Sequence, residues 1–453
     1  MRRVAVSSLL LVAGVSAFNF SGCADVRTTE EKTARRSLSE VESVYRPQGQ
    51  KPDLPVLTVA SPATDYLRFA LLNHPRVEAT YYDWRSAVAA IAPARALPDP
   101  QLTFQADITD TVMSLMPGLM FDVMASGKRA AMGREASIAS ENAYRTYVTT
   151  LVSTTAELRK AWVELSYVDE AVSIRRQMAG VLDQALASAQ ADYATGRGMG
   201  TLEEQTKVLN AAAKLRSDLG VFSDRQIAAR ARFKAALGLS RDENDPVWPS
   251  APWPSAPLPG EDELWKQALA VNPSLAAMRT MVEMAVAQVQ IAHTAKIPDF
   301  TAGLMVDTKA DPLMFRPTAT VKLPVWREKI AAAIESADAR KLAAQARLSS
   351  EQIGMAAEFA QMLFMIREAD RMLSYIDSAA LPNIINARRS AESAYGTGMS
   401  GFASLAELRL MELSMRIERV DTSRERELAV ADLASFVAAD VPADAHLNTS
   451  NYR

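Results

Sequence analysis

Gln101-Leu102-Thr103-Phe104-Gln105-Ala106-Asp107-Ile108-Thr109-Asp110 carries an apolar side chain at every second position. The run 118–126 repeats the device with Leu119, Phe121, Val123 and Ala125. Two later runs match them, 299–308 with Phe300, Ala302, Leu304 and Val306, and 317–325 with Ala319, Val321, Leu323 and Val325. Period-two alternation makes one apolar and one polar strand face. Over about 9–10 residues it is also the pattern of a membrane strand, apolar to lipid and polar to a lumen. An amphipathic sheet packed on helices is the alternative for any one strand, whereas four strands in two matched hairpins favour the membrane reading. Four strands cannot close a barrel, and lipid does not tolerate an open edge. Assembly with copies of the same chain is therefore expected, and three copies would give about 12 strands.

Outward from these hairpins the chain repeats itself. Asn73-His74-Pro75 is answered by Asn272-Pro273, and Leu97-Pro98-Asp99 by Ile297-Pro298-Asp299. Tyr193-Ala194-Thr195-Gly196 is answered by Tyr395-Gly396-Thr397-Gly398, and Thr201-Leu202-Glu203-Glu204 by Ser404-Leu405-Ala406-Glu407. An offset of about 200 residues is too long for a solenoid and marks duplication of a large unit. The units are expected at 63–239 and 261–438, each running helix, two short strands, very long helix, glycine turn and return helix. Residues 240–260 form a Pro-rich extended connector rather than a packed element. The polar segments 23–62 and 439–453 flank the two units.

No proline occurs from Lys128 to Tyr193 or from Lys329 to Ala380. Helices of about 65 residues reach ~100 Å at 1.5 Å per residue. Both carry a 3-4 seam: Tyr144, Val148, Leu151, Thr155, Leu158, Trp162, Leu165, Asp169, Val172, then Leu348, Gln352, Met355, Phe359, Met362, Ile366, Ala369, Leu373, Ile376, Ala380. That is coiled-coil spacing. Pro382 predicts a kink. Gly196 and Gly398 fall where a helix C-cap takes positive φ. Thr201-x-x-Glu204 and Ser404-x-x-Glu407 read as capping boxes. The expected fold is mainly α with a small membrane β-barrel contribution, a trimeric α-helical tunnel plus a barrel of about 12 strands.

The formal net charge of −3 argues against a nucleic-acid partner. His74, His293 and His446 are the only histidines and Cys23 the only cysteine, too little for a His/Cys metal cage or a Cys/His catalytic pair. No nucleophile elbow, phosphate loop or metal-ligand spacing occurs, so neither an enzyme nor a cofactor is expected. Residues 1–22 read as a signal peptide, with Arg2-Arg3 before an apolar stretch too short to span a membrane. Ser21-Gly22-Cys23 resembles a bacterial lipobox, which implies acylation of Cys23, with Phe20 standing where leucine is usual. The alternative is an incidental cysteine after an ordinary cleavage site. Ala24, rather than aspartate, follows Cys23 and favours the outer membrane.

Across residues 60–440 or so the chain resembles the TolC-like outer-membrane efflux factors. The match is carried by Asn73-His74-Pro75, Leu97-Pro98-Asp99-Pro100-Gln101-Leu102, Gly127-Lys128-Arg129, Leu323-Pro324-Val325-Trp326 and the two Tyr-x-x-Gly tips, in this order and twice over. The resemblance implies a homotrimeric conduit through the outer membrane, continued into the periplasm. It also implies two partners, a periplasmic adaptor (membrane fusion) protein and an inner-membrane efflux pump. It implies adaptor docking at the tips, near 196–202 and 398–405. There Tyr193, Gly196, Thr201, Leu202, Tyr395, Gly398, Ser404 and Leu405 are the expected docking and tip-shaping set. Asp192, Glu203, Glu204, Glu392 and Glu407 form an acidic ring after trimerisation or, on the other reading, are helix caps and solvated charges.

The chain has 20 methionines, and thioether suits Cu(I). Met120, Met124 and Met305 fall on the polar side of their strands as lumen candidates, although methionine also serves as a flexible seam filler. A general exit channel leads. A copper- or silver-dedicated channel and a non-conducting lipid-anchored coiled-coil scaffold are the alternatives.

Overall fold

The computed structural model describes residues 28–108, 112–124, 127–195, 202–254, 257–308, 310 and 312–438. Cys23, Gly196 and Thr201 lie outside them. The helices are α1 (Thr29–Tyr45), α2 (Ala63–Asn73), α3 (Pro75–Arg95), α4 (Lys128–Thr195), α5 (Leu202–Ala236), α6 (Glu261–Val271) and α7 (Pro273–Thr294). They continue with α8 (Arg327–Tyr375), a π-helical turn (Ile376–Ala380), α9 (Leu381–Gly396) and α10 (Phe402–Phe436). The strands are β1 (Gln101–Ile108), β2 (Val112–Val123), β3 (Asp299–Asp307) and β4 (Met314–Lys322). Two compact units result, a sheet unit from residues 1–40, 85–141 and 282–343 and a helical unit from the remainder.

In the sheet unit the strands lie in the order β1-β2-β3-β4, all antiparallel. Leu102 opposes Leu119, Leu119 opposes Leu304, and Phe300 opposes Val321. Because side chains alternate across a strand, this register gathers Leu102, Phe104, Leu115, Leu119, Phe121, Val123, Phe300, Leu304, Phe315 and Val321 on one face, all exposed. Thr103, Met120, Asp122, Thr301 and Thr318 share the other.

The expected barrel of about 12 strands is overturned: the sheet has four strands, is not closed, and leaves β1 and β4 as open edges. Two strands also start earlier than their alternation suggested, β2 at Val112 and β4 at Met314, because Pro117 and Pro317 do not end them. Pro117 lies one residue beyond the last β2–β3 pair, and Pro317 is on an edge strand, so neither position requires its missing N–H for the ladder.

In the helical unit each repeat is closed by an asparagine. Asn73 Nδ2 donates to the carbonyls of Leu237 (2.9 Å) and Gly238 (3.2 Å). Asn272 Nδ2 donates to the carbonyl of Phe436 at 3.0 Å, and both closures onto Leu237 and Phe436 span 164 residues. The same Asn272 accepts from the Leu275 N–H at 3.0 Å and so caps α7. Gly238 has a φ of 74°, and a Cβ there would stand 2.6 Å from His74 Cα, so only glycine fits the end of α5 against the α2–α3 corner.

Trp162, Phe233, Tyr66 and Leu158 centre the first core, while Met355, Phe359, Ile366, Leu433 and Phe436 centre the second. The α4 seam is buried from Tyr144 to Leu165 and again at Val172, with Asp169 exposed. On α8 the buried line is Met355, Phe359, Leu363, Ile366 and Ala369, with Gln352 exposed and Met362 half-buried. The connector 240–260 is irregular yet packed, contrary to expectation. Val247 accepts from Tyr66 Oη and Ala251 from Trp162 Nε1, each at 2.9 Å, and Trp253 is buried in the first core. Pro382 is accommodated by the π-helical turn just before it, where the Leu381 N–H reaches back to Ile376.

One ion cluster pins three helices. Glu164 on α4 accepts from Arg225 of α5 (2.9 and 2.7 Å) and from Arg424 of α10 (2.6 Å). Burial pushes its carboxyl upward, but the hydrogen bonds from Arg424 and Arg225 outweigh that and hold it below its ordinary value of 4.5. A lowered carboxyl stabilises the fold above its unfolded pKa and loses that contribution as pH falls through the folded value. Glu164→Gln is expected to lower stability at neutral pH by about 1–3 kcal/mol, the arginines being partly solvated. It is also expected to shrink the stability difference from wild type as pH falls below 4, measured by thermal melts across pH. Asn272→Asp, which keeps the capping oxygen and loses the donor, is expected to cost about 1–3 kcal/mol. Asn272→Ala should cost more in the same melts, and equal melting of Asn272→Ala and wild type would dismiss the closure.

Candidate functional site

The second hairpin tip is fully described. The Met399 N–H bonds the Ala394 carbonyl (2.9 Å) and the Gly398 N–H bonds that of Tyr395 (3.0 Å), with Gly398 at a φ of 75°. These two bonds make a Schellman ending for α9. The ring of Tyr395 meets Phe402 edge-on with centroids 5.6 Å apart, across the turn. Met399 is 78% exposed at the apex, Tyr395 is exposed, and Leu405 is buried beneath. The capping box expected at Ser404-x-x-Glu407 does not form. Helix α10 starts at Phe402 with Gly401 as its N-cap and no side-chain cap bond, which places Ser404 inside the first turn. At the first tip, Tyr193 and Leu202 are exposed.

Of the acidic candidates, Glu203 pairs with Lys207 at 2.6 Å. Glu392 is held by Arg388 (2.5 Å) and Arg409 (3.3 Å), and the bond from Arg388 is foremost in keeping its carboxyl low. Glu407 is exposed and Asp192 half-buried, while the side chain of Glu204 lies outside the described set. Sequence reading overlooked the basic partners. Arg388 also bonds the buried Glu412, which Arg416 holds from its other oxygen, each at 2.5 Å. The signal was present as two four-residue spacings, Arg388/Glu392 and Glu412/Arg416. Near the second tip Glu392 and Glu412 are thus met by arginines.

On α8, Ile353 (74% exposed), Phe364 and Tyr375 recur every 11 residues on the side away from the buried line. An 11-residue spacing keeps one helix face in line. A cleft of about 520 Å³ is lined by His74, Arg76, Glu157, Lys160, Arg232 and Arg424. Burial, then the Arg76 charge, pushes the His74 imidazole below its usual value. Among the described residues no group of three or more His, Cys, Asp or Glu could hold a metal ion. On the polar sheet face Met120 is half-buried and Met305 buried, with Met124 just past the end of β2.

Residues 264–439 match the family model described as outer membrane efflux protein. No curated protein sequence matches the chain. Among solved structures, CusC is 14% identical with a TM-score of 0.68, over 86% of this chain and 98% of its own. A membrane protein from Pseudomonas aeruginosa is 16% identical with a TM-score of 0.71, over 86% and 93%. The Campylobacter jejuni outer membrane channel CmeC is 11% identical with a TM-score of 0.71, over 91% and 94%. The family match thus lies in the second repeat, and the fold of these solved structures is shared by most of the chain.

Proposed function

We propose that this chain is the outer-membrane exit channel of a tripartite efflux system. It would work as a homotrimer that receives substrate from an inner-membrane pump and a periplasmic adaptor and performs no chemistry of its own. The observation that carries this reading is the sheet, whose exposed face is apolar in all four strands while its other face is rich in threonine and aspartate. An apolar surface of that extent calls for lipid or another apolar partner. The exposed line of Ile353, Phe364 and Tyr375 supports the trimer, because a second copy would cover it. At the tips, Tyr193, Leu202 and Tyr395 are exposed enough to touch an adaptor, whereas Gly398 and Leu405 shape the turn. Gly196, Thr201 and Ser404 complete the proposed set.

Acylation of Cys23 belongs to the same reading. Glu31 on α1 is fully buried and bonds Arg95 at 2.5 Å, and β1 begins six residues after Arg95. Glu31 lies eight steps along the chain from Cys23, a reach of at most ~29 Å. That length is compatible with an anchor in the membrane that the sheet would occupy.

Purified protein is expected to give ohmic conductance steps in planar bilayers, and a deletion strain to lose tolerance to exported compounds. Silent bilayers together with unchanged tolerance would instead favour the non-conducting scaffold. Phe364→Glu is expected to convert the trimer to monomer with the helical content retained, read by light scattering and circular dichroism. A Phe364→Glu trimer as stable as wild type would mean that this helix face is not an interface.

A further inference from the structure

The polar face of the sheet holds a feature that an exit channel does not require. Met305 stands opposite Gly118, and Met120 stands opposite Gly303. Each methionine leans over the glycine that faces it. A Cβ at Gly118 would lie 2.6 Å from Met305 Cγ, and one at Gly303 would lie 2.8 Å from Met120 Cγ. The two glycines thus vacate the space that the two thioether arms occupy. Met116, two residues from Gly118 on the same face, is 2% exposed, and Met305 is 8% exposed. Same-face diagonal neighbours in a sheet stand about 7–8 Å apart at Cα, within reach of long side chains.

The surroundings are not those of an apolar core. Thr301 Oγ1 donates to Asp122 at 2.6 Å, and Thr103 Oγ1 reaches the Gly118 carbonyl at 3.4 Å. Next along β3, the buried Asp307 accepts from Arg316 at 3.0 Å. Two buried methionines and a half-buried one among hydroxyls and carboxylates bring three thioethers to one patch of this face. Thioether is neutral and soft, so it selects monovalent soft cations over sodium, magnesium or zinc.

We propose that Met116, Met120 and Met305 form a thioether site for a soft monovalent metal cation, Cu(I) or Ag(I). The site goes beyond the exit-channel reading and does not depend on conduction. Silver(I), which needs no reductant, is the probe. Full-length protein carrying Cys23→Ala, which removes the one thiol, is titrated calorimetrically with silver. Binding is expected, and it should weaken at least about tenfold in a Met116→Leu/Met120→Leu/Met305→Leu variant. Leucine keeps the packing volume, and circular dichroism confirms the fold. Met399→Leu, at the exposed tip, should bind silver as the parent does. X-ray absorption of the silver complex should show sulfur in the first shell, lost in the triple variant. No silver binding by the parent, or equal binding by the triple variant, would reduce these methionines to covers for Gly118 and Gly303. Failure of the bilayer experiment would leave this titration unaffected.

Discussion

The side-chain amides of Asn73 and Asn272 set the condition that the rest of the helical unit obeys. Each repeat leaves its first helix, travels 164 residues, and has to end where it began. The entropic cost of closing so long an excursion rises only slowly with its length. What must be supplied is a defined meeting point, and a side-chain amide with a carbonyl partner provides one. In the first repeat Gly238 lets the backbone of α5's end approach His74. The second repeat reaches the same meeting point without glycine, taking a φ of 49° at Ala438. The recurring asparagines, visible in the sequence only as landmarks, thus gain a physical role.

Duplication has not produced two equal halves. Around Trp162 the first repeat is covered by Tyr66, Phe233 and the connector's Trp248 and Trp253, so α4 is buried on most sides. There is one connector, and its tryptophans are spent on that core. The second core buries one line of α8 and leaves Ile353, Phe364 and Tyr375 in solvent. An intramolecular cover for one repeat and none for the other accounts for the apolar line left exposed on α8.

Periodicity made the long helices, the four strands and the second tip's glycine turn legible, because each is a local rule written many times over. Non-local features were not. Pro117 and Pro317 hid the starts of β2 and β4, since whether a strand tolerates proline depends on which neighbour lies beside it. Proline content made the connector look unpacked, although Trp162 and Tyr66, far away in sequence, bond its carbonyls. Barrel closure concerns edges, which alternation within a strand cannot describe. At the tip, acids drew attention while the arginines that meet them passed as ordinary surface residues.

A heptad seam has a further ambiguity that the charges resolve. It looks alike every seven residues, so two helices joined by apolar contacts alone could slide by about 10 Å. Arg419 pairs with Asp377 and Arg426 with Asp370, and both arginines and both aspartates are seven apart. A one-heptad slip of α10 would break both pairs, form a single exchanged one, and strand the remaining arginine and aspartate. Such exposed pairs add little stability, so they discriminate weakly by themselves. Glu164 is the stronger check, because a slip removes Arg424 from a carboxylate that is largely buried. Strongest of all, the slip would carry Phe436 away from Asn272 and leave that buried amide without its acceptor. Apolar contacts choose which faces meet, and the buried polar contacts choose the register at which they meet.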